Sequence, residues 1–231
     1  MSESIRILST LGVLGVLRDV LPRAAAAGLE ADAQFDPTAR LLARIEAGER
    51  GGIAILTDAG IAALSEAGVL DGATRRDLAC SYVGMAVRAG AARPDISTLE
   101  ALRGTLLAAP SIAYSRAGAS GIFFAGLIER LGIAAAVNAK ATIIPQGFTA
   151  ELAASGEAAI AIQQVSELMA IEGVDIVGKL PAGANTTAVF SAALFTGADA
   201  RAAALLAWLA EAMDAPVLRA GGLEPPQAAL A

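Results

Sequence analysis

The sequence contains no histidine and a single cysteine, Cys80, in 231 residues. These absences exclude serine–histidine and cysteine–histidine catalytic pairs, disulfides within the chain and the ligand sets of most zinc sites. The sequence also has no Gly-Lys-Ser/Thr segment of the kind that cradles nucleotide phosphates. We therefore predict that the chain binds neither a metal nor another cofactor.

Aromatic and charged residues are scarce, at 4% and 17%, whereas apolar residues make up 55% of the chain. This composition is typical of a helix-rich globular protein packed from Ala, Leu, Ile and Val, and it excludes intrinsic disorder. The net charge of −6 offers no general basic surface, so we predict no nucleic-acid binding. Because Lys140 and Lys179 are the only lysines, a carboxylate clamp would have to use the planar guanidinium groups of arginine.

Long apolar runs are also missing. No stretch reaches the roughly 18 apolar residues that span a membrane, so we predict no membrane insertion. The apolar run 7–17 has the length of a signal peptide, but Arg18, Asp19 and Arg23 follow it where a cleavage region is small and neutral. The sequence as written therefore predicts a cytoplasmic protein. A removed leader would make it periplasmic, and an importer partner is possible only in that case.

Short apolar segments alternate with helical ones, a pattern that predicts an α/β fold with mainly parallel sheets flanked by helices. The predicted strands are 5–8, 31–35, 53–56, 82–87, 111–114, 141–144, 159–162 and 189–194. The predicted helices are 13–26, 39–47, 57–67, 98–108, 119–131, 148–154, 164–169 and 200–213.

Polar residues follow most of the predicted strands. In open α/β sheets, ligands bind at the carboxyl ends of the strands, where helix N-termini present unpaired N–H groups. In the first half of the chain these residues are Ser9, Thr10, Asp36, Thr38, Arg40, Thr57 and Asp58. In the second half they are Ser115, Arg116, Ser120, Gly121, Gln146, Phe148, Gln163, Gln164 and Glu167. Hydroxyls, amides and two arginines in these positions predict a binding site for a small anion.

Several of these residues have an ordinary structural role as an alternative. A helix N-cap is the alternative for Thr38, Thr57 and Ser120, and a solvated surface position is the alternative for Arg40 and Arg116. Gln163 and Gln164 are different, because they end an apolar strand and two amides are costly to bury without partners.

The order and spacing of several segments resemble a known family. These segments are FDPTARLLARIEAG (35–48), 53–58, PDIST (94–98), SIAYS (111–115), GASGI (118–122) and QQVSE (163–167). They resemble the molybdate-binding proteins of ABC importers, and in particular a subgroup of solute-binding proteins that also resembles bacterial aconitate isomerase. The resemblance extends from Ile5 to about Pro225.

This resemblance implies a type II periplasmic-binding-protein fold, in which two α/β lobes are joined by two crossover strands and a ligand is held in the cleft between them. The expected division is 1–83 with 190–231 for lobe one, and 84–189 for lobe two. The anion-binding positions implied by the family fall near Ser9 or Thr10, Thr38, Ser120, Phe148 and Gln164.

The sequence departs from the molybdate binders in its charged residues. Their sites use hydroxyls and backbone N–H groups without charged side chains, whereas Arg40 and Arg116 stand in the corresponding loops here. A guanidinium fork pairs with a carboxylate through two hydrogen bonds. We therefore expect an organic di- or tricarboxylate ligand rather than molybdate.

The resemblance leaves an enzyme open as an alternative, namely an isomerase that moves a proton between two carbons of an unsaturated carboxylate. Without histidine, the proton acceptor must be a carboxylate, Lys140, a tyrosine such as Tyr114, or a carboxylate of the ligand itself. Asp36 and Glu167 are the candidate catalytic residues.

Overall fold

The computed structural model describes residues 4–116 and 118–226. The chain forms two compact units: unit 1 contains the residues up to Ser81 and those from Ala188 onward, and unit 2 is Tyr82–Thr187. The chain crosses from one unit to the other twice, and each crossing lies within a strand. The expected lobe boundaries, after residues 83 and 189, lie two residues from the observed ones. None of the described helices is long and apolar enough to cross a membrane.

Helices alternate with strands along most of the described chain. The strands are β1 (Ile5–Thr10), β2 (Ala31–Asp36), β3 (Ile53–Thr57), β4 (Leu70–Arg88), β5 (Ile112–Ser115), β6 (Ala141–Ile144), β7 (Ile160–Gln164), β8 (Val174–Lys179) and β9 (Thr187–Phe195). The helices are α1 (Leu14–Ala26), α2 (Thr38–Glu46), α3 (Asp58–Glu66), α4 (Leu99–Ala108), α5 (Ala119–Arg130), α6 (Ala134–Asn138), α7 (Thr149–Ser155), α8 (Val165–Met169), α9 (Ala200–Ala212) and α10 (Ala215–Ala220).

In unit 1 the sheet order is β2-β1-β3-β9. Strand β1 is parallel to both β2 and β3, and β9 runs antiparallel to β3, with Ile53 opposite Leu194. On one face of the sheet, Ile7 of β1 and Ile55 of β3 are buried in a cluster with α1 and α9, where Leu17 and Leu209 are fully buried. Burial of these helix faces supplies most of their stability, because isolated helices of this length are marginal in water.

In unit 2 the sheet order is β4-β7-β5-β6, and β8 also pairs with β4. Strand β5 is parallel to β6 and β7, whereas β4 is antiparallel to β7 and β8. The core contains Tyr114 and Phe124, whose rings meet edge to face at 5.1 Å. The buried Tyr114 hydroxyl donates a hydrogen bond to Asn138 Oδ1 at 2.6 Å, so its polar end is satisfied.

Each predicted strand and helix is present, and the sheets are mixed, with parallel centres and antiparallel neighbours. Four features were not predicted: the first part of β4 (Leu70–Ser81), strand β8 and the short helices α6 and α10. These segments lack a clear apolar period of two or are only five or six residues long.

Candidate functional site

Hydroxyl groups gather at the carboxyl ends of β1 and β2 in unit 1. The parallel register places Thr10 opposite Asp36. Thr38 Oγ1 donates to Thr10 Oγ1 at 3.2 Å, and Ser9 Oγ donates to the Thr10 carbonyl at 3.1 Å. Ser9 and Thr10 are both buried. The three hydroxyl residues predicted to bind an anion in this half of the chain therefore form one cluster.

Thr38 and Thr57 differ in their helical roles. Thr38 is the first residue of α2, whose N-cap is Pro37, so the N-cap alternative is wrong for Thr38. Thr57 Oγ1 accepts a hydrogen bond from the Gly60 N–H, and Thr57 is the N-cap of α3. The hydroxyl of Thr38 is thus directed to Thr10 instead of its own helix.

Asp36 lies in an ion-pair network. Its carboxylate accepts a hydrogen bond from Arg44 at 2.5 Å and lies 3.6 Å from Arg40. Arg44 also binds Glu49, and this hydrogen bond raises the pKa of Arg44 and lowers that of the Glu49 carboxyl. The Arg40 side chain is 58% exposed. Asp36 is therefore already bound to arginine, which makes it a less suitable proton acceptor than an unpaired carboxylate.

In unit 2, β5 leads through a tight loop into α5. Ser115 is buried and Arg116 is exposed, while Ser120 and Gly121 are buried in the first turn of α5. The N-cap of α5 is Gly118, so the N-cap alternative is wrong for Ser120. A Cβ atom at Gly121 would lie 1.4 Å from the Ser115 carbonyl oxygen, so the helix packs directly against the end of the strand.

Gln163, at the end of β7, fixes the loop before α7. Its Oε1 accepts hydrogen bonds from the backbone N–H and the hydroxyl of Thr149, at 2.8 and 3.0 Å, and its Nε2 donates to the Gly147 carbonyl at 3.0 Å. Gln146 is exposed and Phe148 is partly buried at the N-cap of α7. Gln163 therefore holds the segment that carries both of these predicted ligand-binding residues.

Unlike the Gln163 side chain, the Gln164 side chain has no hydrogen-bond partner among the described residues. It is 2% exposed, and within the described part of the chain neither its Oε1 nor its Nε2 has a hydrogen-bond partner. The buried hydroxyl of Ser166 is likewise unpaired there. A buried polar group without a partner costs about 1–3 kcal/mol, so these atoms are candidates to bind a ligand or a water molecule.

Glu167 is the third residue of α8 and is 8% exposed. Burial raises the pKa of its carboxyl to about 7, and hydrogen bonds with the Gln164 N–H and the Gln163 side chain oppose that rise. The bond to the Gln164 N–H is the acidic half of a capping box. The Glu167 carboxyl is thus able to gain or lose a proton near neutral pH, as an acid–base catalyst requires.

The structure brings Gln163, Gln164 and Glu167 together at the end of β7, as their spacing suggests. Sequence reasoning missed Thr149 and Ser166. Thr149 follows the predicted Phe148, and Ser166 precedes Glu167. Their positions next to predicted site residues could have identified them.

Residues 5–224 match the model of a family described as bacterial extracellular solute-binding protein. The chain belongs to this family. An aconitate isomerase from Pseudomonas sp is 32% identical over 231 residues, an alignment that covers 96% of this chain and 88% of that protein.

Solved structures share the fold. The periplasmic molybdate-binding protein of Azotobacter vinelandii has a TM-score of 0.78 at 17% identity, covering 97% of this chain and all of that one. The sulfate-binding protein SubI from Mycobacterium tuberculosis has a TM-score of 0.70 at 17% identity, covering 99% and 88%. PEB3 bound to L-phospholactate has a TM-score of 0.72 at 14% identity, covering 96% of this chain and all of that one. The predicted type II periplasmic-binding-protein fold is confirmed.

Proposed function

We propose that this solute-binding chain binds a small organic di- or tricarboxylate through polar groups at the ends of its strands. The observation that carries the proposal is the 32% identity, over nearly the whole chain, to an enzyme whose name gives aconitate as its substrate. Aconitate is a tricarboxylate. The complex of PEB3 with L-phospholactate adds support, because an organic acid is there bound to a protein of the same fold.

The chemistry of the strand ends supports an organic acid. Arg116 is exposed beside the first turn of α5, where N–H groups and the helix dipole also favour negative charge. The hydroxyl cluster of Ser9, Thr10 and Thr38 and the unpaired amide of Gln164 supply neutral hydrogen-bonding groups. A carboxylate can use a guanidinium fork and amide groups together.

We expect citrate, cis-aconitate or trans-aconitate to raise the melting temperature, and molybdate, tungstate and sulfate to leave it unchanged. A ligand at 100 times its Kd stabilises the folded state by about 2.7 kcal/mol. Arg116→Gln should weaken binding at least tenfold by calorimetry. Arg103→Gln, which removes an exposed arginine on α4, is the matched control and should bind like the wild type. Stabilisation by molybdate or sulfate alone, or by none of these anions, would contradict the proposal.

A second candidate function is isomerisation of the bound carboxylate, which the position and pKa of Glu167 favour. In this reaction the Glu167 carboxylate removes a proton from the CH2 carbon of trans-aconitate, and the double bond shifts toward that carbon. The proton then returns to the former vinylic carbon. One C–H bond breaks and another forms, so no co-reactant is needed.

The isomerase is tested by proton NMR of trans-aconitate incubated with the protein. We expect cis-aconitate to form, and Glu167→Gln to slow its formation at least a hundredfold, since general acid–base catalysis contributes about 10²–10⁴-fold. Glu151→Gln removes an exposed carboxylate of α7 and should retain the activity. If the wild type produces no cis-aconitate, the isomerase is excluded and the binding proposal is still tested by the anion panel.

A further inference from the structure

Unit 2 contains a cavity at the opposite end of β7 from Gln164. It has a volume of about 460 Å³ and lies between the end of β4, the C-terminal end of α4 and the start of β7. Ile160, the first residue of β7, lines it, whereas Gln164 is the last residue of the same strand. A strand rises about 3.3 Å per residue, so the two places are separated by roughly 13 Å. The volume falls within the range of small-molecule pockets.

The walls of this cavity are apolar. Alanine, proline and glycine residues line most of it, together with Val87 and Ile160. Thr105 is the lining residue with a neutral polar side chain, and its hydroxyl already donates to the Asp95 carbonyl at 2.7 Å. The cavity therefore presents mainly carbon surface to an occupant.

Arg88 is the one charged residue in the lining. One of its Nη atoms lies 3.5 Å from the position that a Cβ would take at Gly156, which also lines the cavity. Within the described part of the chain its guanidinium makes no hydrogen bond or ion pair. Asp175, on the strand that pairs with the end of β4, is used elsewhere: it accepts from the Gly90 N–H and lies 3.8 Å from Arg93.

We propose that this cavity binds an amphipathic monocarboxylate, such as a medium-chain aliphatic acid. Its carboxylate would pair with Arg88, and its hydrocarbon chain would cover the alanine- and proline-lined wall. The negative charge of the carboxylate complements the lining, which carries one cation and no acidic side chain. Each CH2 group that is buried should tighten binding roughly threefold to fourfold.

The test is a titration of the whole chain, labelled with ¹⁵N, followed by NMR. Octanoate should shift the amide signals of Ala91, Ala108 and Gly156, and affinity should fall from octanoate to hexanoate to butyrate. Octanol and octylammonium should bind at least tenfold more weakly than octanoate. Arg88→Gln should weaken octanoate binding at least tenfold, and Ala108→Phe should block it by filling the cavity. Arg103→Gln, outside the lining, is the matched control.

Equal affinity for octanoate and octanol, or no dependence on chain length, would overturn the proposal. Shifts that map to Gln164 and its neighbours would also overturn it, because octanoate would then occupy the strand ends. Arg116→Gln should leave octanoate affinity unchanged while it weakens tricarboxylate binding. The two proposals therefore fail or succeed separately.

Discussion

Gly121→Ala is expected to lower the free energy of unfolding by about 3 kcal/mol or more. The added Cβ would lie 1.4 Å from the Ser115 carbonyl oxygen and 2.4 Å from its carbonyl carbon. Both are backbone atoms, so no flexible side chain can move aside, and either β5 or the first turn of α5 must shift. Forced overpacking costs about 1–3 kcal/mol in ordinary cores, and a clash with backbone belongs at or above the upper end.

The matched control is Gly126→Ala, on the same helix. A Cβ there would lie 3.5 Å from the end of the Arg130 side chain, an ordinary contact. Because alanine forms helix better than glycine by about 1 kcal/mol, this variant should be equally or more stable than the wild type. Denaturant titration followed by circular dichroism measures both. Similar stabilities for the two variants would show that α5 does not pack on Ser115 as described.

Glu167→Gln is expected to stabilise the protein above pH 7 by up to about 3 kcal/mol. The folded-state pKa of Glu167 is raised from its ordinary value of 4.5 to about 7, because burial penalises the charged form. The folded state thus binds more protons than the unfolded state between these values. The wild type has its full stability, as far as this group is concerned, below pH 4.5, and loses it as the pH rises toward 7. The rise in the pKa of Glu167 from 4.5 to about 7 corresponds to about 3 kcal/mol of unfolding free energy.

Glutamine resembles the protonated carboxyl and can still accept the hydrogen bond from the Gln164 N–H. The difference in unfolding free energy between wild type and variant should therefore be small at pH 4 and grow up to pH 7. Glu151→Gln shows the effect of removing one exposed negative charge. A difference that does not change with pH would contradict the raised pKa and weaken the case for Glu167 as a proton-transfer group.

The predicted strands and helices have a clear pattern of apolar residues in the sequence, and the elements that were not predicted lack such a pattern. Strand β3 begins with a continuous apolar run, residues 53–56 between Gly52 and Thr57, which is typical of a strand buried on both faces. The first part of β4 contains the polar segment 71–77, largely exposed, and its strand conformation is imposed by pairing instead of by its own composition. Strand β8 is only partly buried along its length, so its apolar residues carry no clear period.

The sequence shows which polar residues follow the strands, but not the contacts that each of them makes. That Gln163 and Gln164 follow a strand is visible in the sequence. The path of a loop fourteen residues away determines that the Gln163 side chain hydrogen-bonds to the segment around Thr149. The Gln164 side chain has no partner among the described residues, and this too depends on the fold around it. Likewise, the spacing of Asp36 and Arg40 suggests an ion pair, but the stronger contact with Arg44 is set by side-chain geometry.

The antiparallel pairing of β3 with β9 has a consequence for how the protein is made. Ile53 and Leu194 are neighbours in the sheet, although most of the chain, including all of unit 2, lies between them in sequence. During synthesis, unit 2 is complete before β9 leaves the ribosome. Until then β3 has no antiparallel partner strand. Contacts between residues so distant in sequence slow folding, because a long loop must close first. We therefore expect unit 1 to fold last, with an exposed apolar strand edge that is prone to aggregation until β9 arrives.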